Sequence, residues 1–335
     1  MPRPAQPPES ATLRLLRAAL LGWYARHKRD LPWRQDQDAY RVWVSEIMLQ
    51  QTRVAAVLEH YRLFLEAFPT VGALAAAPEE RVLALWSGLG YYRRARMLHQ
   101  AARFVVAEFG GNIPRDLDGL RKLPGVGRYT AAAIASIAYG EAVAVVDGNV
   151  ERVLSRMDGE ARDDGSAWPR AQQLLDAGHP GDWNQAMMEL GATICAPQNP
   201  QCLMCPVRQW CLAPGAETRR PQLARKRARM TRALVEHRQR VYLVQRPATA
   251  VKMAGMWELP ELTVGREPRA EAEREVCAVR HSITDTDYEV RVLQVPLGAL
   301  SAVERRAGKW IEHDAVWTLP LTGLTRKILR KQGLG

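Results

Sequence analysis

One stretch constrains the fold of this chain more than any other: LPGVGRYTAAAIASIAYGEAVAVVDGNVERV, residues 123–153. It contains two glycines, Gly125 and Gly127, between two helical patterns. Without side chains, the backbone N–H groups there can approach a phosphate, and the N-terminus of the next helix adds its positive end. A plain turn between two helices has the same Gly-x-Gly pattern. The glycines by themselves therefore leave both interpretations open.

The end of the same stretch adds a carboxylate. Residues 143–146 are apolar, and Asp147-Gly-Asn then begins a new helix, whose N-terminal dipole favours an ionised side chain. Most aspartates at such a position are only helix caps. A functional role for Asp147 therefore needs a second residue to support it.

Glu46, in the segment YRVWVSEIMLQQT, is that second residue. A lone glutamate in a helix is usually exposed, but Val44, Ile47, Met48 and Leu49 surround this one, and desolvation is expected to raise its pKa toward neutrality. The sequence thus predicts two carboxyl groups in contrasting environments, one protonated and one charged. Cleavage of a glycosidic bond uses such a pair.

Four of the five cysteines form a cluster within seventeen residues, with gaps of six, two and five residues. A disulfide framework is not expected in a large intracellular chain, so the cluster favours a metal site. Zinc sites usually pair two short Cys-x-x-Cys segments, and only one is present, which favours an iron–sulfur cluster over zinc. The fifth cysteine, Cys277, is interpreted as a small buried apolar residue.

Composition and charge indicate the class of partner. The 335 residues carry a formal net charge of +11, which suits a polyanion better than a small neutral substrate. No apolar run is long enough to cross a bilayer, and the N-terminus has no hydrophobic signal core. We therefore expect a soluble cytoplasmic protein, associated with the nucleoid if bacterial, that uses no membrane.

The hydrophobic pattern divides the chain into three predicted parts. Residues 10–213 have helical periodicity interrupted by turns, which predicts a mainly α domain. Residues 214–232 lack an apolar face, and ETRRPQLARKRARMTR contains seven basic residues and one acidic, which predicts a basic linker. Residues 233–335 contain the strand-like segments RVYLVQRP, MWELPEL and YEVRVLQVPL, with AEAEREVCAV as a short helix between them, so an α+β domain is expected.

Taken together, several segments resemble one family. LPWR, SEIMLQQTRV, GLGYYRRAR, LPGVGRYTA, VDGNVERV, NQAMMELGATIC and the C-x6-C-x2-C-x5-C pattern are similar to the MutY-type adenine DNA glycosylases. That family lies within the helix–hairpin–helix superfamily, which also includes endonuclease III. The similarity spans residues 12–212. It implies a six-helix barrel plus a helical iron–sulfur domain, with a [4Fe–4S] cluster held by Cys195, Cys202, Cys205 and Cys211.

The resemblance also implies roles for individual residues. Glu46 would protonate the purine at N7 and activate a water, and Asp147 would stabilise the oxocarbenium-like sugar, with Asn149 and Tyr129 keeping these groups in register. Gly125 and Gly127 would hold the DNA backbone. The positions that match the family's adenine pocket are Trp33, Arg34, Leu49 and Glu189, and those that probe the base stack around the opposite base are Gln51 and Tyr91.

Tyr129 bears on the type of reaction. Members of the superfamily that also cut the strand carry a lysine at this position as a Schiff-base nucleophile, and tyrosine has no amine. The resemblance therefore implies a monofunctional enzyme, acting as a monomer on double-stranded DNA that contains 8-oxoguanine:adenine or guanine:adenine mispairs. The adenine would have to be flipped out of the duplex.

Residues 233–335 resemble the Nudix-like recognition domain of the same family. A Nudix hydrolase needs a dense REXXEE-type acidic helix for its metal ions, and EAEREVCAV offers only a fragment, so recognition without phosphohydrolase activity is expected. The family reads 8-oxoguanine with a Phe-Ser-His loop, and here Ile283-Thr284-Asp285 stands at that place. Thr284 can replace the serine as donor and acceptor. Asp285 cannot replace the histidine, so weaker lesion affinity is expected.

Three other functions remain as alternatives. An endonuclease III-like glycosylase for oxidised pyrimidines is disfavoured by Tyr129 and by the additional domain. In a non-catalytic iron–sulfur DNA-binding protein we would expect one of the two carboxylates to be lost, and both are present. A nucleotide hydrolase is disfavoured by the missing acidic helix.

Overall fold

The computed structural model describes residues 10–216, 225–263 and 273–334. By compactness the chain divides into two units, Met1–Val54 with Ala101–Pro221, and Ala55–Gln100 with Gln222–Gly335. Residues 55–100 thus group with the C-terminal part, although the sequence pattern assigns them to the first predicted domain. The predicted domain boundaries at 213 and 233 stay predictions.

The helices of the described chain have the following bounds. They are α1 Ala11–His27, α2 Ala39–Leu49, α3 Val54–Ala67, α4 Val71–Ala76, α5 Glu79–Trp86, α6 Arg93–Phe109, α7 Leu117–Lys122, α8 Arg128–Tyr139, α9 Gly148–Asp158, α10 Asp164–Leu174, α11 Pro180–Thr193, α12 Ala302–Ala307 and α13 Gly323–Lys331. The predicted helical character of residues 10–213 is confirmed as far as Thr193. Beyond it, short 3-10 turns at Cys202–Met204 and Arg208–Trp210 follow the cysteine segment.

The first unit is built around α8. Helix α2 and helix α11 pack on it, and α11 also packs on α1 and α9. The buried face of α8 is composed largely of alanine, with Ala131, Ala133 and Ala135 fully buried. Small side chains let the neighbouring helices approach closely.

Two glycines of α11 make that close approach possible. A Cβ at Gly181 would lie 2.8 Å from the carbonyl oxygen of Ser136 in α8, and a Cβ at Gly191 would lie 2.6 Å from Cβ of Asn149 in α9. Any larger residue must therefore push these helices apart. Glycine at these two positions sets how α8, α9 and α11 fit together.

A buried amide fixes the segment that leads to Asp147. The side chain of Asn184 in α11 accepts from the backbone N–H of Val145 at 3.0 Å and donates to the carbonyl of Val143 at 2.8 Å. It also donates to Ser136 Oγ in α8 at 2.9 Å. Since every polar atom of this amide has a partner inside the unit, the apolar approach to Asp147 is held in one register.

Among its described residues, the second unit contains two four-stranded sheets. One has the order β5–β1–β7–β6, with β1 parallel to β7 and the other pairs antiparallel; in the other, β3 pairs with β2, β4 and β8. The strands are β1 Lys226–Leu234, β2 Glu236–His237, β3 Arg240–Gln245, β4 Trp257–Glu258, β5 Glu261–Leu262, β6 Arg274–Ile283, β7 Thr286–Gln294 and β8 Gly308–Glu312. The predicted α+β character of the C-terminal part is thereby confirmed.

Hydrogen bonds to backbone carbonyls join residues 55–100 to the C-terminal part of this unit. Ser87 Oγ donates to the backbone oxygen of Leu321 at 2.7 Å, and the Tyr92 hydroxyl donates to the same oxygen at 3.2 Å. Arg326 in α13 donates to the backbone oxygen of Ser87 at 3.0 Å. These buried hydrogen bonds explain why α3–α5 group with the C-terminal strands.

The predicted short helix AEAEREVCAV is wrong over its described part. Arg274–Ile283 forms β6, which pairs with β7 along its length and contains a bulge between Glu275 and Cys277. Glutamates favour a helix in isolation, but pairing with β7 and the packing of Val276 and Val279 on the core outweigh that preference. Residues 264–272 lie outside the described residues. Cys277 is half-buried against the same core, as its apolar interpretation predicts.

The predicted linker also changes character near its end. Strand β1 begins at Lys226. Arg225, just before the strand, pairs with Asp287 of β7, and Arg229 within the strand pairs with Glu289 of β7. The charges that made this segment resemble a linker therefore lie on the exposed face of a strand. Residues 217–224 of the predicted linker are outside the described residues.

A search of the described helices finds none long and apolar enough to cross a membrane.

The fit of α11 against α8 yields a first prediction. Gly181→Ala should lower the free energy of unfolding of the protein by roughly 1–3 kcal/mol, because the added Cβ meets the backbone of α8. Urea denaturation followed by tryptophan fluorescence measures the change. The matched control is Gly22→Ala in α1, where the nearest atom is the flexible end of Arg26 at 3.7 Å, so the change should be neutral or stabilising by up to about 1 kcal/mol. Equal effects of the two substitutions would contradict the close-packing explanation.

Candidate active site

A cavity of about 620 Å³ lies in the first unit. Its walls come from the segment before α2, from α2 itself, and from α8, α9 and α11. The sequence-predicted residues that line it are Trp33, Arg34, Glu46, Leu49, Gln51, Tyr129, Asp147, Asn149 and Glu189. Nine residues chosen from separate motifs thus meet in one place, and the volume is in the range of small-molecule sites.

Glu46 lies on the α2 wall of this cavity and is only 7% exposed. Burial raises the pKa of its carboxyl group to about 7, with a hydrogen bond from Tyr129 opposing the shift and the charge of Asp147 adding to it. The expected shift toward neutrality is therefore present. Near neutral pH this group can both give and take a proton.

Asp147 is the N-cap of α9, as predicted, and its carboxylate is surrounded by donors. Oδ1 accepts from the backbone N–H groups of Asn149 at 2.9 Å and Val150 at 2.8 Å, and Oδ2 accepts from Asn149 Nδ2 at 2.9 Å. Three N–H groups at a helix N-terminus stabilise a negative charge. The same carboxylate therefore caps the helix and faces the cavity.

Tyr129, in the first turn of α8, lies close enough to both carboxyl groups for their charges to affect it. Its hydroxyl lies 3.2 Å from Met188 Sδ and hydrogen-bonds to Glu46. Desolvation raises the pKa of Tyr129 well above its ordinary value, and the charges of Glu46 and Asp147 act in the same direction. The phenol thus stays neutral and serves as a hydrogen-bonding group.

Glu189 is buried on the α11 wall and is held by two arginines. Arg29 donates to it through Nε at 2.6 Å, Nη2 at 2.8 Å and its backbone N–H at 3.3 Å, and Arg34 donates through Nη2 at 2.8 Å. Burial alone raises the pKa of this carboxyl, but the hydrogen bonds and charges of Arg29 and Arg34 outweigh it, and the pKa lies below its ordinary value. Glu189 is thus charged in the same cavity in which Glu46 is close to neutral.

The predicted hairpin connects α7 to α8. Gly125 has φ +78°, the left-handed region that glycine favours, and Gly127 is the extended N-cap of α8. A Cβ at Gly127 would meet nothing within 4 Å, so the space beside the start of α8 is open. The first N–H groups of this helix have no partner within the helix, which suits a phosphate oxygen.

The four clustered cysteines are half-buried and close enough to influence one another. Burial raises the pKa of Cys205 to about 11, and Cys195, Cys211 and Cys202 add to the shift. Each sulfur has an N–H donor: Arg156 at 3.2 Å from Cys195 Sγ, the Gly215 backbone at 3.2 Å from Cys202 Sγ, and the backbones of Val207 and Ala213 for Cys205 and Cys211. N–H donors to sulfur stabilise thiolate ligands.

In the described part of the chain, no three His, Cys, Asp or Glu side chains are arranged to hold a metal ion. The sulfurs of a tetrahedral zinc site lie about 3.8 Å apart, because each Zn–S bond is about 2.3 Å. In a multi-iron cluster the four thiolates bind different irons, so they lie farther apart. Four mutually interacting thiols, each with an N–H donor, are compatible with the larger group.

A chain of hydrogen bonds runs from this cysteine segment to Asp147. Arg152 in α9 donates to Cys195 O, to Gly191 O and to Asn149 Oδ1, each at 2.8 Å. Asn149 in turn donates to Asp147. The orientation of the Asp147 carboxylate is therefore linked to the backbone at the first cysteine.

Two predicted site residues lie outside this cavity's lining, in the second unit. Tyr91 is 51% exposed, has φ +48°, and lies beneath the guanidinium of Arg94 at 5.5 Å. Thr284 begins the two-residue turn between β6 and β7, with φ +52°. The roles predicted for both residues stay predictions.

The sequence did not point to several residues that shape the site. Arg29 forms a forked ion pair with Glu189, Asn184 fixes the approach to Asp147, and Arg152 orients Asn149. Their partners lie 160, 39 and 3 residues away in sequence. The i, i+3 spacing of Asn149 and Arg152 was the only local signal among the three.

This chain is similar in sequence to known proteins. Residues 44–172 match the family model described as HhH-GPD superfamily base excision DNA repair protein. The chain is 52% identical over 218 residues to the human adenine DNA glycosylase, covering 61% of this chain and 40% of that protein. It is 34% identical over 322 residues to the adenine DNA glycosylase of Schizosaccharomyces pombe, covering 75% of this chain and 70% of that protein. The chain thus spans about two fifths of the human relative.

Two solved structures resemble the fold. A thermostable thymine-DNA glycosylase has 30% identity and a TM-score of 0.56, with 61% of this chain and 98% of that chain covered. A trapped endonuclease III–DNA covalent intermediate has 26% identity and a TM-score of 0.52, with 60% and 94% covered. Both are similar in fold to more than half of this chain.

The raised pKa of Glu46 predicts a pH-dependent stability. Its pKa is raised from 4.5 to about 7 on folding, so the native state binds more protons between these values. Stability from this group is fully present below pH 4.5 and is lost as pH rises through 7. Relative to wild type, Glu46→Gln should therefore gain on the order of 3 kcal/mol between pH 4.5 and 8, the energy equivalent of the shift.

Urea denaturation across this pH range measures that gain. The control is Glu66→Gln, which removes an exposed carboxyl group and should follow wild type at every pH. A constant difference between Glu46→Gln and wild type would show that Glu46 ionises normally in the folded protein.

Proposed function

The chain belongs to the adenine DNA glycosylase family, and from this we propose that it is a monofunctional DNA glycosylase of base excision repair. Its substrate would be adenine mispaired with 8-oxoguanine or guanine in double-stranded DNA. The observation that carries the proposal is the contrast within one cavity between Glu46, with a pKa of about 7, and the Asp147 carboxylate held by three N–H donors. Excision of a purine needs an acid for the base and a negative charge for the sugar.

The proposed reaction begins with the adenine flipped out of the duplex into the cavity. Glu46, protonated in about half of the molecules near pH 7, donates its proton to N7, so the base leaves as a neutral group. Positive charge then develops on the sugar, and the Asp147 carboxylate stabilises it. Glu46, now ionised, activates the water that completes hydrolysis. Asn149 and Tyr129 hold the two carboxyl groups in position.

Recognition of the base is assigned to other residues that line the same cavity. Both oxygens of Glu189 already accept two hydrogen bonds each, so its acceptor sites are occupied. We infer that Glu189 acts by orienting Arg34, and that Arg34 contacts the base together with Trp33 and Leu49, which line the same cavity. Gln51, with φ +57° at the end of α2, and Tyr91 would contact the base stack.

Cleavage of the strand is not part of the proposed activity. Among the described residues that line the cavity, the cations are arginines and none is a lysine. An imine with the abasic sugar needs a primary amine, and Tyr129 occupies the position where strand-cutting members carry one. The expected product is an intact strand with an abasic site.

A [4Fe–4S] cluster is proposed as the cofactor, held by Cys195, Cys202, Cys205 and Cys211. Support comes from the N–H donor at each sulfur and from the mutual influence of the thiols. When bound, the cluster supplies a covalent cross-link between the end of α11 and the turns that follow. Hydrolysis requires no electron transfer, so the cluster is proposed to contribute by ordering the residues around it.

Residues 233–335 are proposed as a Nudix-like domain that recognises the lesion. Supporting features are the two sheets and the turn at Thr284-Asp285. The segment that would have to form a metal-binding acidic helix is instead strand β6 over its described part. The unit is therefore assigned to recognition without phosphohydrolase activity.

One assay tests the proposed function. The protein is incubated with duplexes that contain one 8-oxoguanine:adenine or guanine:adenine pair, and the products are then treated with alkali. Cleavage at the adenine only after alkali is expected. Cleavage before alkali would contradict the monofunctional assignment, and intact strands after alkali would contradict glycosylase activity.

The two-carboxylate mechanism predicts the behaviour of two variants. Glu46→Gln and Asp147→Asn should each abolish excision, because neither amide can donate a proton as an acid or carry a negative charge. Duplex affinity measured by fluorescence anisotropy should stay near that of wild type, since phosphate contacts use other residues. Glu66→Gln is the control for loss of a carboxylate. Normal turnover by either site variant would eliminate this mechanism.

The cofactor proposal predicts metal content. Protein purified without oxygen should be brown and contain about four irons per chain, and Cys202→Ser should lose iron and fold poorly, because ligand binding is coupled to folding. Cys277→Ser removes a cysteine in the other unit and should keep the wild-type iron content. Stoichiometric zinc in place of iron would overturn the assignment.

A further inference from the structure

An exposed loop in the second unit has features that the proposed reaction does not use. The loop covers residues 250–254 and is called the 250 loop below. At its tip Val251 is 100% exposed, and Lys252 beside it is exposed as well. An isolated exposed apolar residue is common on protein surfaces, so Val251 alone indicates nothing.

The 250 loop is held in place by hydrogen bonds from arginines to its backbone. Arg246 Nε donates to Lys252 O at 3.0 Å, and Arg96 Nη2 donates to Ala254 O. Met253 adopts φ +52°, a left-handed conformation that costs a residue other than glycine energy. A turn that is strained and held by these hydrogen bonds keeps its tip residues in a defined direction.

The tip of the loop lies against the turn between β6 and β7, residues 283–286, called the 283–286 hairpin below. Lys252 Nζ donates to Thr284 Oγ1 at 3.3 Å, and Thr284 Oγ1 donates its own proton to Ile283 O at 2.8 Å. The loop and the hairpin therefore form one continuous surface of the second unit.

Charges on this surface are not evenly matched. The aspartates of the hairpin have their own cations, with Lys226 at 3.4 Å from Asp285 and Arg225 at 2.7 Å from Asp287. Lys252 forms no ion pair with a carboxylate of the described residues, and its hydrogen-bond partner is the Thr284 hydroxyl. Lys252 is thus a positive charge available to an anion, at the end of a fixed loop.

We propose that the 250 loop and the 283–286 hairpin together form a DNA contact surface, in which Lys252 binds a backbone phosphate and Val251 packs against the duplex groove. This inference rests on the proposed function, since it takes the hairpin as an element that faces DNA. A cation contributes affinity through phosphate neutralisation and counterion release. An apolar side chain beside it can contact sugars and base edges in a groove. The net charge of +11 favours the same partner.

The salt dependence of binding tests the role of Lys252. Binding is measured by fluorescence anisotropy of a labelled duplex with one 8-oxoguanine:adenine pair, in the full-length Glu46→Gln background so that the adenine stays in place. Losing one phosphate contact should lower the slope of log K against log salt by about 0.9. Lys252→Ala should therefore bind about eightfold more weakly at 0.1 M salt and equally at 1 M, since that slope acts over one decade of salt.

Two further variants make this result specific. Lys252→Arg keeps the cation and should restore both the slope and the affinity. Lys309→Ala removes an exposed lysine from β8 of the same unit and is the control for loss of one positive charge. If Lys252→Ala and Lys309→Ala lower the slope equally, Lys252 acts only through net charge and the inference is overturned.

A matched pair of substitutions tests Val251. Val251→Asp places a negative charge where DNA is expected and should weaken binding at least as much as Lys252→Ala. Val303→Asp makes the same change at another exposed valine of this unit, which is 77% exposed in α12, and should bind like the parent. Equal weakening by both aspartates would remove the contact assigned to Val251.

The outcomes separate this inference from the proposed function. If wild type excises adenine and Lys252→Ala leaves the slope unchanged, the loop contact is wrong and the glycosylase assignment stands. If wild type excises no adenine but Lys252→Ala lowers the slope by about 0.9, DNA contact by the loop stands and the proposed reaction fails.

Discussion

The chemistry proposed for the cavity of the first unit depends on the burial of the Glu46 carboxyl group. An ionised carboxylate without a close positive partner is unstable in an apolar environment, so Glu46 reduces the cost of burial by holding its proton. That environment exists because α2 packs tightly on α8, whose alanines leave room for it. Helix packing thus raises the pKa of an ordinary glutamate, so that Glu46 can act as an acid near neutral pH.

A second glutamate in the same cavity shows how much the neighbours matter. Glu189 is buried as well, at 1% exposed, and still its pKa lies below the ordinary value. The difference lies in two guanidinium groups that occupy both of its oxygens. A buried glutamate therefore stays close to neutral where its hydrogen-bonding neighbour is a phenol, as at Glu46. It stays ionised where its neighbours are guanidinium cations, as at Glu189.

The parts of the site that could be predicted from sequence are those with a local signal. Gly125 and Gly127 between helices, Asp147 at a helix start and Glu46 within an apolar segment each have a pattern readable within a few residues, and the structure places each as expected. Resemblance to a family brought in residues such as Glu189, whose partner Arg29 lies 160 residues away. No local sequence pattern predicts such a pair, because only folding brings its two residues together.

The errors in the C-terminal part have the same origin. Glu273 and Glu275 belong to a segment whose composition favours a helix, yet pairing with β7 makes a strand of its described residues. Lys226 and Arg229 suggested a linker because their acidic partners lie about sixty residues later, at Asp285 in the turn before β7 and at Glu289 within it. Propensity and composition describe a segment alone, and in a sheet the partner strand decides.

The turn at Thr284-Asp285 stands where the resemblance predicts the family's recognition loop. From sequence alone, Asp285 is expected to bring a negative charge where the family has a histidine, and to be repelled by phosphates. In the structure, hydrogen bonds from Thr286 and its own backbone, together with Lys226, lower the pKa of Asp285, so the charge is retained and has a cation beside it. Such an exposed pair is worth little in stability, but it changes the local field. With that charge offset by Lys226, Lys252 adds a further positive charge beside Thr284, and it comes from a separate loop that lies outside the three-residue motif.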